Sequence, residues 1–320
     1  MRDRTDHAPP SRRRLPVRVL QLTTNAEATY VTNQVAALAD RGVESDVLEV
    51  PRSGPDGRRV TDYLQFCPTV RAQDLNAYDL VHANFGLTIP AAIAQRRVPV
   101  VTSLVGSDLM GRFGGLTKQF ARFCDAVIVV SAEMAELLSR DAHVIPYGID
   151  LDEFRPIETE RARGVVDWPT DGRHVLFPYH PDRPVKNYPL AERVVERAAE
   201  RTPFDIELHT VSGVEYDLIP YYMNAADTLL LTSHREGSPS TIKEALACNT
   251  PVVSTPVGDV PERVGSLDVS GVGSSVEELA TKLRQTLDAA EEPGGRDAIQ
   301  PFGLDRMSER ILSVYRQTIT

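Results

Sequence analysis

From Val17 onward the chain alternates short apolar runs with helical patterns, and this alternation limits the folds open to it more than any other feature. VRVLQLT is the first predicted strand, a helix follows over 29–41 and ends at Gly42, and DVLEV is the second strand. Further strands are predicted at 79–82 and at VPVVTSL, AVIVV and HVIP. Strands alternating with helices are typical of an α/β protein, with a mostly parallel sheet covered by helices on both faces.

The same kind of series starts again at His174, after a polar segment over 158–173 that we predict to be a linker. HVLF and DIELHTV are predicted strands, with a helix from about Pro189 between them and a short helix over 216–224 after them. Helices over 276–289 and 304–317 finish the chain, and EEPGG interrupts it between them. A chain of 320 residues that is 42% hydrophobic can bury two cores of roughly 150 residues each, so we expect two domains, 17–157 and 174–301, followed by a last helix within 302–320.

The stretch 232–262, TSHREGSPSTIKEALACNTPVVSTPVGDVPE, contains the strongest candidate site. It follows Thr228–Leu231, a short apolar run that predicts a buried strand. Ser238 and Pro239 predict a helix N-cap with proline at the first helical position, and the helix should reach about Ala247. A strand, a glycine-containing turn and a helix N-terminus form an anion site, so we expect a phosphate or diphosphate there.

Two carboxylates, Glu236 and Glu244, flank this turn with seven residues between them. A carboxylate accepts hydrogen bonds and repels phosphate, so a pair beside a diphosphate pocket suits hydroxyl-rich groups such as a ribose and a sugar. This chemistry indicates a nucleotide-sugar. The alternative from the residues alone is that Glu244 favours an early helix position and Glu236 is a solvated loop acid.

The stretch resembles the nucleotide-sugar site of retaining glycosyltransferases of the GT-B fold, family 4. The resemblance covers the E-x7-E spacing, the A-x-x-x-P-V-V strand entry and the V-G-x-x-P-E turn. It implies two Rossmann-like domains facing across a cleft, with 17–157 on the acceptor side, 174–301 binding the donor and the last helix crossing back. It also implies transfer of a sugar from a nucleoside diphosphate to an acceptor hydroxyl with retention, without a metal or other cofactor. The departing phosphate oxygen would assist removal of the acceptor proton on the same face of the sugar.

By the same resemblance, Glu244 would hold the ribose hydroxyls and Glu236 the sugar hydroxyls, while the Gly237 and Ser238 amides with Lys186 would hold the diphosphate. A fixed cation is needed because the leaving diphosphate gains negative charge. The family arginine of this loop aligns with His180, so either Arg183 takes the role from a shifted position or the role is weaker. The alternative for Lys186 is that it is a solvated lysine without a role in binding. The donor-binding set is completed by Pro239, Ser240 and Ser212, the last in a segment that packs on the nucleobase in the family.

The first domain departs from the family in two loops. Asn25-Ala26-Glu27-Ala28 stands where members often carry a glycine pair, and Val105 replaces the histidine of H-G-x-D. His82 either takes over part of that contact with the transferred sugar or is structural. The acceptor-side candidates are Asn25, Thr29, His82, Gly106 and Asp108.

Composition excludes some other classes. A net charge of −10 argues against nucleic acid as a partner, and Cys67, Cys124 and Cys248 lack paired metal-ligand spacing. Asp150-Leu151-Asp152 has the form of a metal-binding D-x-D but lies between an apolar strand and Phe154 at the domain junction, so we do not expect a metal there.

No apolar run is long enough for a membrane span and no signal peptide precedes the first strand, which predicts a cytoplasmic protein.

The first sixteen residues, MRDRTDHAPPSRRRLP, contain five arginines and three prolines without an apolar period, so we expect a disordered basic arm. Either it contacts anionic lipid at the inner face of the membrane or it keeps the chain soluble.

Two other functions remain open from the sequence. A nucleotide-sugar 2-epimerase shares the fold and would release a free epimer without an acceptor. A donor-binding scaffold with impaired catalysis is the other, because of the two departures in the first domain. The acceptor of a transferase would be a glycan, a lipid-linked molecule or a small molecule.

Overall fold

A computed structural model describes residues 16–54, 57–289 and 294–320. The predicted basic arm therefore lies outside the described residues except for Pro16, as does most of the EEPGG break. In the described part the chain forms two all-parallel sheets with helices between the strands, which confirms the α/β class. No described helix has the length and apolar character needed to cross a bilayer.

Six described strands form the first sheet, in the order β2-β1-β3-β4-β5-β6. They are β1 (Val17–Thr23), β2 (Val43–Glu49), β3 (Leu80–Ala83), β4 (Val100–Leu104), β5 (Ala126–Val129) and β6 (His143–Val144). The helices between them are α1 (Thr29–Ala39), α2 (Val60–Arg71), α3 (Ile89–Ala94), α4 (Gly106–Leu109), α5 (Gly114–Ala121) and α6 (Ala132–Glu136). Short 3-10 turns cover Leu75–Ala77 and Gly86–Thr88.

The second sheet has five strands among the described residues, in the order β11-β10-β9-β7-β8. They are β7 (Arg173–Phe177), β8 (Ile206–Thr210), β9 (Thr228–Leu231), β10 (Val252–Ser254) and β11 (Gly271–Val272). Its helices are α8 (Tyr188–Ala199), α9 (Ile219–Ala225), α10 (Ser240–Ala247), α11 (Val260–Val264), α12 (Val276–Asp288) and α13 (Gly295–Ile299), with 3-10 turns at Pro184–Lys186, Tyr216–Leu218 and Gln300–Phe302. The segment 158–173, which we expected to be a linker, contains a helix, α7 (Thr159–Val166).

Both faces of the inner strands are covered, which explains why β3, β5 and β9 read as continuous apolar runs, whereas the edge strands β2 and β8 are partly exposed. In β1, Leu20 and Leu22 pack into one core of the first domain, while Val19 faces a second core on the other side of the sheet. The second domain is built around a separate core that includes all three leucines of β9.

The last helix, α14 (Leu304–Ile319), packs on the first sheet rather than on the second. It follows an isolated bridge between Ile149 and Gly303 and places Met307, Ile311 and Tyr315 in the core behind β1, β3 and β4. The chain therefore returns to the first domain at its end, and this helix ties the two domains together.

Candidate active site

The loop from β9 to α10 forms the centre of the site. The helix begins at Ser240, one residue later than the start at Pro239 predicted from sequence, and Pro239 occupies the N-cap position. The reason is the backbone of Pro239, whose φ of −67° fits a helix but whose ψ of 120° is extended. The prediction that Ser238 caps the helix is therefore wrong, and no side chain caps it.

Several hydrogen-bond donors at this helix end have no partner. Among the described residues, the amides of Gly237 and Ser238 meet no acceptor, and the buried Ser238 hydroxyl makes no hydrogen bond. Unpaired donors at the positive end of a helix dipole favour an anion. The helix end thus offers unpaired donors of the kind that bind a phosphate group. The Ser238 hydroxyl is one of these donors and does not cap the helix.

The strand order brings Lys186 and Glu236 together. Strands β7 and β9 are neighbours in the second sheet although β8 lies between them in sequence, so the loops that follow them leave the sheet on either side of one crevice. Lys186 lies in the loop after β7 and Glu236 in the loop after β9, and Lys186 Nζ is 2.5 Å from Glu236 Oε1. Both side chains are mostly buried, with 8% and 15% of their surfaces exposed.

Hydrogen bonds from the loop after β9 hold the Lys186–Glu236 pair in position. Ser233 Oγ donates to Glu236 Oε1 at 2.6 Å, and Thr232 Oγ1 donates to the Lys186 carbonyl at 3.1 Å. The His234 amide donates to the carbonyl of Val185 at 2.9 Å, so the two loops are joined at the backbone as well. The charged groups are therefore held in place before any ligand binds, which is the condition for electrostatic stabilisation of a reaction.

Tyr179 lies under the lysine and was not identified from sequence. Lys186 Nζ is 3.6 Å from the centroid of its ring, and Tyr179 Oη is 2.7 Å from Thr241 Oγ1 at the start of α10. The ring stabilises the ammonium group through a cation–π contact. Burial lowers the pKa of Lys186, while the charge of Glu236 acts in the opposite direction.

Glu244 lies on α10 and is 8% exposed. Its carboxylate makes no hydrogen bond to any residue that the structure describes, and burial raises its pKa to about 7. A buried carboxylate without a donor is costly unless a ligand supplies one. Two hydroxyls of a ribose would do so.

Three other donor-side candidates lie at the rim. Arg183 is exposed, with its guanidinium carbon 5.6 Å from the Tyr179 ring centroid, and its charge helps lower the pKa of Lys186. His180 is exposed and accepts a hydrogen bond from the Asp182 amide at 3.2 Å. Ser212 is exposed in the loop after β8 and makes no contact that draws it toward the Lys186–Glu236 pair.

The first domain meets the second directly at this loop. A Cβ placed on Gly106 would lie 3.3 Å from the Gly237 nitrogen, and one on Gly237 would lie 3.0 Å from Val130 Cγ2. Arg235 Nη1 donates to the Met110 carbonyl at 3.1 Å. Gly106 therefore lies beside the loop 232–239 between β9 and α10, which is called the donor loop below.

Asp108 lies in the interior directly beyond Gly106, with 2% of its surface exposed. Its Oδ2 accepts from the Gly86 amide at 2.8 Å, while Oδ1 has no partner among the described residues. Burial raises its pKa to about 7. The group is thus a buried acid with one unused oxygen at the cleft side of the first sheet.

Two tyrosines accompany Asp108 and were not identified from sequence. The rings of Tyr30 and Tyr147 lie 4.9 Å apart, and the hydroxyl of Tyr147 is buried without a partner in the described chain. Burial raises the pKa of Tyr147, with further increases from Tyr30 and Asp108. Lys243 Nζ donates to the Tyr147 carbonyl at 2.6 Å, which connects this group to α10.

His82 is not an acceptor-side residue, so that prediction is wrong. It is fully buried, with Nδ1 2.6 Å from Tyr315 Oη and Nε2 2.8 Å from Ser103 Oγ. Burial lowers its pKa to about 3. Its position within β3 explains this, because the ring points to the side of the sheet that α14 covers. The structural alternative is the correct one for this histidine.

Asn25 and Thr29 lie at the end of β1 and the start of α1. Asn25 is exposed, and its Oδ1 accepts from the Glu27 amide at 3.1 Å, so the side chain stabilises the turn in place of a glycine pair. Thr29 is half-buried. In the candidate D-x-D, Asp150 Oδ1 likewise accepts from the amide of Asp152 at 2.9 Å within its own turn.

Gly258, in the V-G-x-x-P-E turn, supports the donor loop from below. Its φ is +54°, and a Cβ there would lie 2.3 Å from the Gly237 carbonyl oxygen. Only glycine allows the two backbones to approach this closely. The motif is visible in the sequence, but its contact with Gly237 depends on the fold.

Family models match both domains. The model described as Glycosyltransferase Family 4 matches residues 28–153, and the model described as Glycosyl transferases group 1 matches residues 192–294. The chain belongs to the group 1 glycosyltransferases of the GT-B fold. Its membership agrees with the resemblance drawn from the E-x7-E region.

Several named glycosyltransferases are similar to this chain in sequence. A D-inositol 3-phosphate glycosyltransferase of Xylanimonas cellulosilytica is 28% identical over 302 residues, 75% of this chain and 72% of the relative. An MMP alpha-(1->4)-mannosyltransferase of Mycolicibacterium hassiacum is 24% identical over 65% of this chain and 57% of that protein. A Bacillus subtilis protein assigned to teichuronic acid biosynthesis as a glycosyltransferase is 29% identical over 62% of this chain and 58% of that protein. This chain therefore covers less than two thirds of the length of the last two relatives.

Solved structures show the same fold. Sucrose-phosphate synthase from Thermosynechococcus elongatus superposes with a TM-score of 0.78 at 18% identity, covering 94% of this chain and 98% of that chain. HepE from Anabaena, in complex with UDP and glucose, gives a TM-score of 0.69 at 16% identity over 94% of this chain and 100% of that chain. At these identities the likeness concerns the fold.

Proposed function

We propose that this glycosyltransferase moves a sugar from a nucleoside-diphosphate donor to an acceptor hydroxyl, with retention of the anomeric configuration and without a metal ion. The ion pair between Lys186 and Glu236 carries the proposal. It places a fixed cation 2.5 Å from a carboxylate that can accept hydrogen bonds from sugar hydroxyls, beside the unpaired amides of Gly237 and Ser238. The fold neighbour HepE was also crystallised with UDP-glucose, which belongs to the donor class proposed for this chain.

Each group has a role that follows from its chemistry. The Gly237 and Ser238 amides bind the diphosphate, and Lys186 neutralises the charge that it gains as the bond to the sugar breaks. Glu236 accepts hydrogen bonds from the sugar hydroxyls, and Glu244 accepts those of the ribose. Arg183 adds positive charge at the rim.

The chemistry on the acceptor side follows from the residues around Gly106. The donor loop touches Gly106, and the buried Asp108 carboxylate and Tyr147 hydroxyl lie behind that contact. In the proposed same-face displacement the acceptor proton moves to the leaving phosphate oxygen, so no protein nucleophile is required. A glycan, a lipid-linked saccharide or a small polyol has the hydroxyls that this surface would bind. We place the reaction in the cytoplasm, with contact to anionic lipid at the inner membrane face as the route to a lipid-linked acceptor.

Lys186→Met tests the proposal because it keeps an apolar side chain against Tyr179 and removes the charge. Losing one fixed donor to a developing negative charge lowers kcat by about 10²–10³-fold in comparable sites. We expect that loss in a transfer assay with the best donor from a panel of nucleotide-sugars, and we expect Glu236→Gln to lose most transfer as well. Lys282→Met, on the exposed face of α12, is the matched control and should keep full activity.

Product analysis distinguishes the alternatives. Transfer to an acceptor with the donor's anomeric configuration, unchanged by a chelator, supports the proposal. A free epimer formed without an acceptor would indicate the 2-epimerase, and calorimetric binding without any product would indicate the scaffold. Full activity of Lys186→Met would contradict the role given to the ion pair.

A further inference from the structure

A second cluster of ligand-type side chains lies on the second sheet, away from the donor crevice. His174 on β7 and both Glu207 and His209 on β8 bring one ligand atom each within 4.8 Å of one another. Residues 207 and 209 point to the same face of the edge strand because side chains alternate along a strand. His174 pairs with Glu207 in the parallel register, so all three converge on that face.

A backbone hydrogen bond leaves one nitrogen of His174 available as a ligand. His174 Nε2 is 3.1 Å from the Asp171 carbonyl oxygen, which can only accept, so Nε2 carries the proton and Nδ1 offers its lone pair. That lone pair faces His209 Nε2 at 2.7 Å, while Glu207 Oε2 lies 3.9 Å from His174 Nδ1 and 3.6 Å from His209 Nε2. A backbone carbonyl that fixes the tautomer of a histidine is a common feature of metal-ligating imidazoles.

We propose that His174, Glu207 and His209 bind a divalent transition-metal ion of the zinc class. Two imidazoles and a carboxylate are a known zinc ligand set that leaves one position for water. Zn–N bonds of 2.0–2.1 Å place two tetrahedral ligands about 3.3 Å apart, so the nitrogens must separate by roughly 0.6 Å and the exposed Glu207 must move inward by a similar amount. An edge-strand glutamate that is 60% exposed can make this movement.

The surroundings close one side of the site and leave the other open. Trp168 stacks on His209 with ring centroids 3.8 Å apart and planes 17° apart, so the indole shields the imidazoles from that side. The nearby Arg163 is neutralised by Asp227, whose Oδ2 is 2.8 Å from its guanidinium. An ion would therefore approach from the solvent side, past Glu207, and would join β7 to the edge strand β8.

The proposed metal would act on stability and leave glycosyl transfer unchanged. His174 is three residues before the end of β7 at Phe177, and a strand rises about 3.3 Å per residue, so the cluster lies about 10 Å below the end of the sheet where Lys186 is found. The inference is thus independent of the proposed function.

Calorimetry and thermal unfolding of tag-free protein test the proposal, with Zn²⁺ as the probe and Mg²⁺ as the comparison. We expect one equivalent of Zn²⁺ to bind and to raise Tm by about 3 °C or more at saturation, because a ligand that binds only the native state stabilises it. Mg²⁺ should do neither, since it prefers oxygen ligands.

Two variants and one control locate the ion. His209→Phe retains the stack on Trp168 but removes a ligand, and Glu207→Gln changes an exposed side chain with little effect on folding. Both should lose the Tm shift and weaken Zn²⁺ binding at least tenfold, while His143→Gln, an exposed histidine of β6, should behave as the wild type. Absence of Zn²⁺ binding to the wild type, or wild-type binding in either of the two variants, would overturn the proposal.

Discussion

At the scale of single residues, the centre of the site combines unpaired amides with charged side chains that are largely buried. Lys186, Glu236 and Glu244 are all largely buried, and only the first two neutralise each other. A buried charge without a partner destabilises a protein, so such residues are found where a ligand provides the missing contact. Glu244 is the clearest case among them.

Glu244→Gln should make the protein more stable at high pH and less able to bind its donor. Burial raises the pKa of Glu244 from 4.5 to about 7, so the folded state binds its proton more tightly than the unfolded state does. The resulting stability is present below pH 4.5 and is lost as the pH rises through 7. Gln cannot ionise, so at pH 8 the variant should gain about 3 kcal/mol in the free energy of unfolding relative to wild type, with no gain at pH 4.

Denaturant unfolding at pH 4, 6 and 8 measures this difference, and calorimetry with the nucleoside-diphosphate donor measures the expected loss in affinity of about tenfold or more. Glu196→Gln on the exposed face of α8 is the control, with no pH-dependent gain. Equal gains at pH 4 and pH 8 would show that the Glu244 carboxylate is not titrating as proposed.

At the scale of elements, the donor loop depends on contacts between three turns. The loops after β7 and β9 carry the ion pair, and the turn before α11 supports them through Gly258. None of these turns is held by its own sequence alone. Their positions follow from the strand order and from the backbone contacts between them.

Gly258→Ala should distort the donor loop. The added Cβ would lie 2.3 Å from the Gly237 oxygen and 2.9 Å from the Glu236 oxygen, at a φ of +54° that alanine rarely adopts. We expect about 1–3 kcal/mol lower stability and at least a tenfold higher KM for the donor, because the shift reaches the Gly237 peptide. Gly164→Ala in α7 is the matched control, since its Cβ meets nothing within 4 Å and alanine favours a helix.

Thermal unfolding and donor kinetics of the two glycine variants decide the outcome. If Gly258→Ala leaves the KM for the donor unchanged, Gly258 does not support the site, whatever the stability of the variant.

The strands and the donor loop could be read from the sequence because their signals are local. The apolar run Thr228–Leu231, predicted as a strand that ends near residue 232, coincides with β9. The family resemblance nominated Glu236 and Lys186, and the structure brings the two side chains together. The predicted start of α10 is wrong because either residue of the Ser238-Pro239 pair can occupy the N-cap position. Only the ψ of Pro239, which is extended, shows that Pro239 is the N-cap.

The missed residues owe their roles to distant parts of the chain. Tyr179 matters because it lies under Lys186, and Tyr147 because it contacts Tyr30 and approaches Asp108. His82 was a candidate because Val105 replaces the family histidine, but α14, more than 200 residues later, covers that side of the sheet. No local pattern contains such contacts.

At the scale of the whole molecule, the two domains meet where the donor loop lies. Gly106 and Gly237 approach each other across the interface, Arg235 donates to the Met110 carbonyl, and Lys243 donates to that of Tyr147. α14 anchors the end of the chain on the first sheet. A donor bound at the start of α10 would therefore contact both domains, which puts the acceptor surface within reach of the sugar.

Hydrogen exchange of the backbone amides, with and without a saturating nucleoside diphosphate, tests this arrangement most directly. The ligand is chosen by calorimetry from UDP, GDP, ADP and dTDP. The account predicts slower exchange over 236–241, where the unpaired amides bind the diphosphate, and over 105–110 on the facing loop of the first domain. Binding that leaves exchange over 236–241 unchanged would contradict it.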